Sequence, residues 1–578
     1  MVRNRGRLLG AATLLAAVVL VGLPSADPSK AAVSCSPSAG RPVVGGAPQP
    51  PGPGDFTKIE HVVVIMQENR TFDHYFGTYP GADGIPRKSG APEVCVPDPK
   101  TGGSVRPFHS GADANVGGPH THPDSVADVN GGRMDGFVAE LRQGQAGCIN
   151  PANYYCNQPD PPDVMSYHDG REIANYWSYA KNFVLQDHMF EPASSWSLVA
   201  HLFMVSAWSA RCASPTDPMS CTNEVADPVP KRPPGGPKSP RNFAWTDLTH
   251  LLHARGITWG YYVAPGTQPD CADGAMECAA VAQSSATPGI WNPLPNFATV
   301  QQNGQLANIQ PIQNLFAQAQ AGSLPAVSWV IPSLDQSEHP PSLITTGQAY
   351  VTGLINAVMS GPNWSSTAIF VSWDDWGGFY DHVIPPVVDE NGYGIRVPGL
   401  LISPYAKQGF IDHQILSFDA YLKFIEDRFL GGQRLDPATD GRPDPRPTVR
   451  EHAPILGDLR AEFDFTQAPR PPSLLPTNPP PGPSAGITLT PSSGPPGSPV
   501  RVDGVHFFAD ETVAVQYKTG LSGTKKIVLC TVRAAPDGTV SCNATIPSAN
   551  AGVPGSHTVV ATGYTSLMKA KATFTLTG

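Results

Sequence analysis

His61 to Met66, HVVVIM, is an unbroken apolar run that stops abruptly on Gln67, Glu68, Asn69 and Arg70. A run with no polar face suits a strand covered on both sides, as in a parallel sheet, better than a strand with one wet face. Its carboxyl end then carries a carboxylate and an amide, and open α/β sheets bind their ligands at such ends. A second copy of the pattern lies in TAIFVSWDDWGGFYDH, where Ala368 to Trp373 runs straight into Asp374 and Asp375 and a Gly377-Gly378 turn. Parallel strands bring such ends to one rim. Glu68, Asn69, Asp374 and Asp375 can meet there, and three carboxylates crowded together repel unless a cation lies between them. The plainer alternative is two unrelated, solvated loop starts.

Strand-like and helix-like stretches alternate between these landmarks. Helical spacing over Gly170–Phe183 precedes the short strand of FVLQDHMF, and a buried helix is predicted over Leu198–Trp208. Trp245–Arg255 leads into ITWGYYV, Ala326–Ile331 into PSLDQSEHPPS, and a helix over Gly347–Met359 into the strand that ends at Asp374. Val397–Ser403 reads as the last core strand and Leu416–Leu430 as a closing helix. The alternation predicts an α/β fold built on a doubly wound, mostly parallel sheet. Gln467–Gly486 is a Pro-rich linker, and short alternating strands beyond it predict a small β-sandwich. The expected divisions are 1–32 as a signal peptide, 33–465 as the α/β domain, 466–486 as linker and 487–578 as sandwich.

The net charge of −10, with no Lys/Arg run beyond the first residues, argues against a nucleic-acid partner. Arg3, Arg5 and Arg7 precede the apolar run Leu8–Leu23 and then small residues to Ala32, the layout of an export signal. No later stretch is long and apolar enough to span a bilayer. The 10 cysteines fit an oxidising compartment. Cys148 with Cys156, Cys212 with Cys221, Cys271 with Cys278 and Cys530 with Cys542 form short-range pairs, leaving Cys35 for Cys95. A secreted or cell-envelope monomer is expected.

Ser197 lies where the buried helix of EPASSWSLVAHLFMVSA begins. A hydroxyl there serves either as an N-cap or, beside unpaired N–H groups and a positive dipole end, as a nucleophile next to a bound phosphate. His120 and His122 stand two apart in PHTHPDS, and His339 comes after Glu338 just past a predicted strand end. Imidazoles titrate near neutrality and can bind phosphoryl oxygens or protonate a leaving alcohol.

Five segments, HVVVIMQENRTFDHYFGTYPGADG, HTH through GGRMDGF, DHMFEPASSWSLVAHLFMVSA, SEHPP and VSWDDWGGFYDHVIPP, resemble the bacterial phosphoesterase family. That family contains phospholipases C and related acid phosphatases, within the alkaline-phosphatase-like superfamily. The C-terminal module resembles bacterial immunoglobulin-like repeats. The resemblance implies that Glu68, Asn69, Asp374 and Asp375 bind a divalent metal, that Ser197 is the nucleophile, and that His120, His339 and His382 are active-site histidines. Many members have Asn before His or Arg where this chain has Ala200 before His201, so a role carried by that Asn is not transferable.

The resemblance implies an exported, metal-dependent phosphoesterase of the phospholipase C type, acting on a phosphate ester or phospholipid through a seryl-phosphate, with transient contact at lipid surfaces. An acid phosphatase acting on phosphomonoesters is the alternative within the class. A non-catalytic cell-surface binding protein is the alternative outside it.

Overall fold

The computed structural model describes residues 36–37, 40–43, 46–146, 156, 161–229, 242–269, 279–508, 511–535, 537–564 and 566–578. The predicted signal peptide and the Cys271–Cys278 pair lie outside the described residues. An eight-stranded sheet organises the larger part of the chain. Its strands in chain order are β1 (His61–Gln67), β2 (Val184–Gln186), β3 (Trp259–Val263), β4 (Ile309–Pro311), β5 (Val327–Ile331), β6 (Thr367–Trp373), β7 (Gly399–Ile402) and β8 (Phe410–Asp412). They lie in the order β4-β3-β5-β1-β6-β7-β2-β8. The two apolar runs that ended on charge, β1 and β6, are central neighbours.

The sheet is mixed. Within it β7 runs antiparallel to both β6 and β2, while the other pairings are parallel. An apolar run records that a strand is buried on both faces but not which way it points, so this reversal had no counterpart in the pattern. β1, β3, β5 and β6 are buried almost throughout, with Val62, Val64, Val330, Phe370 and Val371 fully enclosed, as a strand covered on both faces requires.

One helix reaches the rim where β1 and β6 end, and a second packs against it. α1 (Ser197–Ser206) is buried at every position, and α2 (Phe418–Phe429) packs against it. Residues 466–485 form no helix or strand, although Leu475 O accepts from Asn356 Nδ2 at 2.7 Å and so ties this stretch to the α/β region.

The C-terminal region is β-rich. A three-stranded sheet (Gly486–Thr490, Pro499–Val505, Val540–Thr545) and a five-stranded sheet containing Thr512–Lys518, Gly555–Gly563 and Lys569–Leu576 share one apolar cluster that includes Val502, Val515, Tyr517 and Phe574. Cys530–Cys542 joins the two sheets, and Cys212–Cys221 closes a hairpin after α1, both as paired from the sequence. Cys95 and Cys156 are also disulfide-bonded. Leu567 packs with Ile85, Met134 and Phe137, and Phe508 meets Trp177 at a centroid distance of 5.3 Å, so the β-rich region lies against the α/β region.

Candidate metal centre and nucleophile

β1 and β6 pair in parallel with Gln67 opposite Trp373, so the residues just beyond each strand emerge side by side. Asn69 turns there with φ 59°, a left-handed conformation that Asn tolerates better than most residues. The turn lets its backbone N–H donate to Asp374 Oδ1 at 3.0 Å and its side-chain amide to Asp375 Oδ1 at 2.8 Å. Gly377 N–H donates to the same Asp375 oxygen at 2.8 Å. Glu68, Asn69, Asp374 and Asp375 are all fully buried.

Ser197 joins them from α1. It is the first helical residue, after Trp196 at the cap position, and its hydroxyl does not cap the helix. Instead Oγ donates to Asp375 Oδ2 at 3.0 Å. Backbone geometry therefore excludes the N-cap role that the sequence left open for this hydroxyl. His201 lies one helical turn further along the same face, and its Nε2 is 3.0 Å from Glu68 Oε1 and 3.9 Å from Asp374 Oδ2.

Burial drives the carboxyl chemistry of the cluster. It raises the Glu68 pKa well above the carboxylate range, with Asp374 and Asp375 adding repulsion. It also pushes Asp375 up to about 8, again with help from Asp374. Glu68 Oε2, Asn69 Oδ1 and Asp374 Oδ2 are enclosed without a hydrogen-bond partner among the described residues. Each such atom costs about 1–3 kcal/mol when it is left unmet. Oxygen donors that resist ionising together and have unmet lone pairs are the set a divalent cation satisfies, so the residues present fit the implied metal.

The His120 loop is held over this cluster by a close backbone approach. Gly118 N–H donates to Gly377 O at 2.9 Å, and Gly378 (φ 73°) sits so near Gly118 that an added Cβ would fall 2.4 Å from its Cα. His120 is 5% exposed, and its Nδ1 lies 2.9 Å from Gly118 O. Its ring meets that of His339 edge-on, with centroids 5.7 Å apart. Burial lowers the His339 pKa to about 4, with His120 adding to the effect. Both rings interact electrostatically with the aspartates, His120 with Asp375 and His339 with Asp374.

His382 is placed elsewhere. Its Nδ1 is 2.7 Å from Asp73 Oδ2 and its Nε2 is 3.5 Å from Asp83 Oδ1, in a buried cluster with Arg396 and Asp381. The structure thus brings together Glu68, Asn69, Asp374, Asp375 and Ser197, sets His120 and His339 beside them, and pairs His382 with Asp73, Asp83 and Arg396. His201 is the member that sequence reasoning missed. The spacing Ser197, His201 on one helix, which puts both side chains on one face, was the available signal.

The model of the Phosphoesterase family matches residues 59–430. The chain belongs to that family. Membership places it among hydrolases of phosphoric ester bonds. It is 26% identical to the non-hemolytic phospholipase C of Pseudomonas aeruginosa over 459 residues, 71% of this chain and 58% of that protein. Against phospholipase C A of Mycobacterium tuberculosis it is 26% identical over 462 residues, 72% of this chain and 80% of that one. Non-specific phospholipase C1 of Arabidopsis thaliana is 22% identical over 393 residues, 62% of each chain. The match therefore spans little more than half of the Pseudomonas protein. Among the described residues no helix is long and apolar enough to cross a membrane.

Proposed function

We propose that this phosphoesterase is an exported, metal-dependent enzyme of the phospholipase C type that cleaves its ester through a phosphoseryl intermediate on Ser197. The observation that carries this is the 3.0 Å hydrogen bond from Ser197 Oγ into a buried group of three carboxylates, in a chain whose relatives are named phospholipases C. Glu68, Asn69, Asp374 and Asp375 would hold the cation. When bound, it would supply positive charge that favours an ionised nucleophile and offsets charge on the phosphoryl oxygens.

The chain's own groups account for the rest. Asp375 accepts the hydrogen bond from Ser197 Oγ–H, which orients Oγ for in-line attack, and takes that proton as Oγ bonds to phosphorus. The new Ser197 Oγ–P bond forms as the bond from phosphorus to the leaving alcohol oxygen breaks. His120 and His339, with ring centroids 5.7 Å apart, offer imidazole N–H groups that can donate to a phosphoryl oxygen or to the leaving oxygen. Water then attacks phosphorus, releasing Ser197 and the phosphate product. In this proposal residues 33–465 form the catalytic unit, 466–486 a linker and 487–578 an immunoglobulin-like sandwich with no chemistry of its own, while 1–32 direct export.

Phosphomonoesterase activity is the second reading, favoured by a serine at the nucleophile position, which the acid-phosphatase branch of the family uses. Phosphatidylcholine, its water-soluble analogues and aryl phosphates assayed side by side separate the two. Ser197→Ala is expected to abolish turnover with the fold intact, and acid quenching of the wild type with phosphate-labelled substrate is expected to trap label on Ser197. Unchanged turnover in Ser197→Ala refutes the covalent route.

A further inference from the structure

His201 enters the cluster from the same helix face as Ser197, and its atoms discriminate between two roles. As a ligand, a histidine that binds a metal through one ring nitrogen carries its proton on the other, and that N–H nearly always donates to a carboxylate, a carbonyl or water. His201 is fully buried, and its Nδ1 has no hydrogen-bond partner among the described residues. Ligation through Nε2 would therefore leave a buried N–H donor unmet. As a donor, Nε2 carries the proton and gives it to Glu68 Oε1 at 3.0 Å, and Nδ1 keeps only a lone pair. That tautomer satisfies the Nε2 proton and half of Glu68, leaving Glu68 Oε2 unpaired among the described residues, as Asp374 Oδ2 and Asn69 Oδ1 are.

We infer, resting on the metal-centre reading above, that His201 is a positioning residue and not a ligand. Its Nε2–H locks Glu68 so that the cation is held by oxygen alone. An all-oxygen set of carboxylates and an amide carbonyl suits a hard cation of the Mg²⁺, Mn²⁺ or Ca²⁺ class rather than zinc, which favours nitrogen and sulfur donors. His201 also ties α1, which carries Ser197, to the end of β1, which carries Glu68. Nucleophile and metal ligand are thereby held in one frame.

The test uses the full-length protein stripped with chelator and titrated with Mn²⁺, reading free Mn²⁺ by electron paramagnetic resonance. The wild type is expected to bind one Mn²⁺. His201→Leu, which cannot donate, is expected to bind about 10- to 100-fold more weakly, the usual effect of removing an outer-shell partner. His201→Gln restores a donor near the Nε2 position and is expected to recover most of the loss, which a merely space-filling role would not predict. Circular dichroism confirms folding, and Gln keeps the comparison usable should Leu misfold.

Electron spin-echo modulation of the bound Mn²⁺ should show no coordinated imidazole nitrogen. An imidazole signal that disappears in His201→Gln makes His201 a ligand and overturns the inference. Wild-type affinity in His201→Leu overturns it as well. If the wild type binds no stoichiometric Mn²⁺ and Glu68→Gln titrates identically, the metal-centre reading itself falls, an outcome distinct from either of these.

Discussion

Gly378→Ala tests whether the close approach of two loops builds the site. A Cβ at this position falls 2.4 Å from Gly118 Cα and 2.6 Å from Gly118 N and C, all backbone atoms that no side-chain rotation can clear. The loops must part by about 1 Å to restore ordinary van der Waals contact. Gly378 also has φ 73°, where an L-residue costs about 1–2 kcal/mol, and overpacking adds about 1–3 kcal/mol. The variant should therefore lose about 2–5 kcal/mol. Gly392→Ala is the control, because Gly392 shares the left-handed backbone (φ 64°) but has nothing within 4 Å of the new methyl, leaving only the backbone penalty.

Thermal denaturation of the two variants in parallel reads the difference. The catalytic consequence is sharper, since Gly118 O accepts from His120 Nδ1 at 2.9 Å and His120 moves with it. A displacement of about 1 Å in a reacting group can lower kcat by about 100-fold. Steady-state kinetics on a soluble aryl phosphate ester should show that loss in Gly378→Ala and near wild-type kcat in Gly392→Ala. Indistinguishable stability and kcat in the two variants would refute the idea that the Gly118–Gly378 contact positions His120.

The second ionic cluster sets a pH dependence. Burial disfavours the His382 imidazolium, but the neighbouring Asp73 carboxylate overrides it and the pKa rises to about 9. The resulting stabilisation is complete below the unfolded histidine pKa of about 6.5 and is lost as pH climbs through about 9. Melting temperatures across that window should fall for the wild type and change less for Asp73→Asn; equal slopes would dismiss the pairing. Deleting residues 487–578 uncovers the surface against Leu567 and Phe508, including Ile85 and Trp177, so the truncated protein should melt earlier yet retain turnover on a soluble ester. Loss of that turnover in a folded truncation would give the β-rich region a catalytic part.

Much of the site was legible because burial leaves a compositional trace. HVVVIM and AIFVSW read best as strands covered on both faces, and a chain that ends such a run on Glu68-Asn69 or Asp374-Asp375 places polar atoms where the sheet ends. Other assignments needed geometry. His382 stands in a motif that resembles the family's, but that its imidazole pairs with Asp73 and Arg396 could be read only from the packed structure. His201 showed only helical spacing, which says that two residues share a face but not what the face meets.

From its residues alone the chain determined a buried α/β core, a β-rich C-terminal region, two strand ends carrying Glu68-Asn69 and Asp374-Asp375, and the family. Tertiary structure alone decided that Gln67 stands opposite Trp373, that β7 runs against its neighbours, that the Ser197 hydroxyl goes to Asp375 rather than to a helix cap, and that His201 clasps Glu68. Local patterns register only whether a side chain is buried and on which face of its own element it lies. Strand direction, register and contacts between segments more than 100 residues apart arise when those faces pack together.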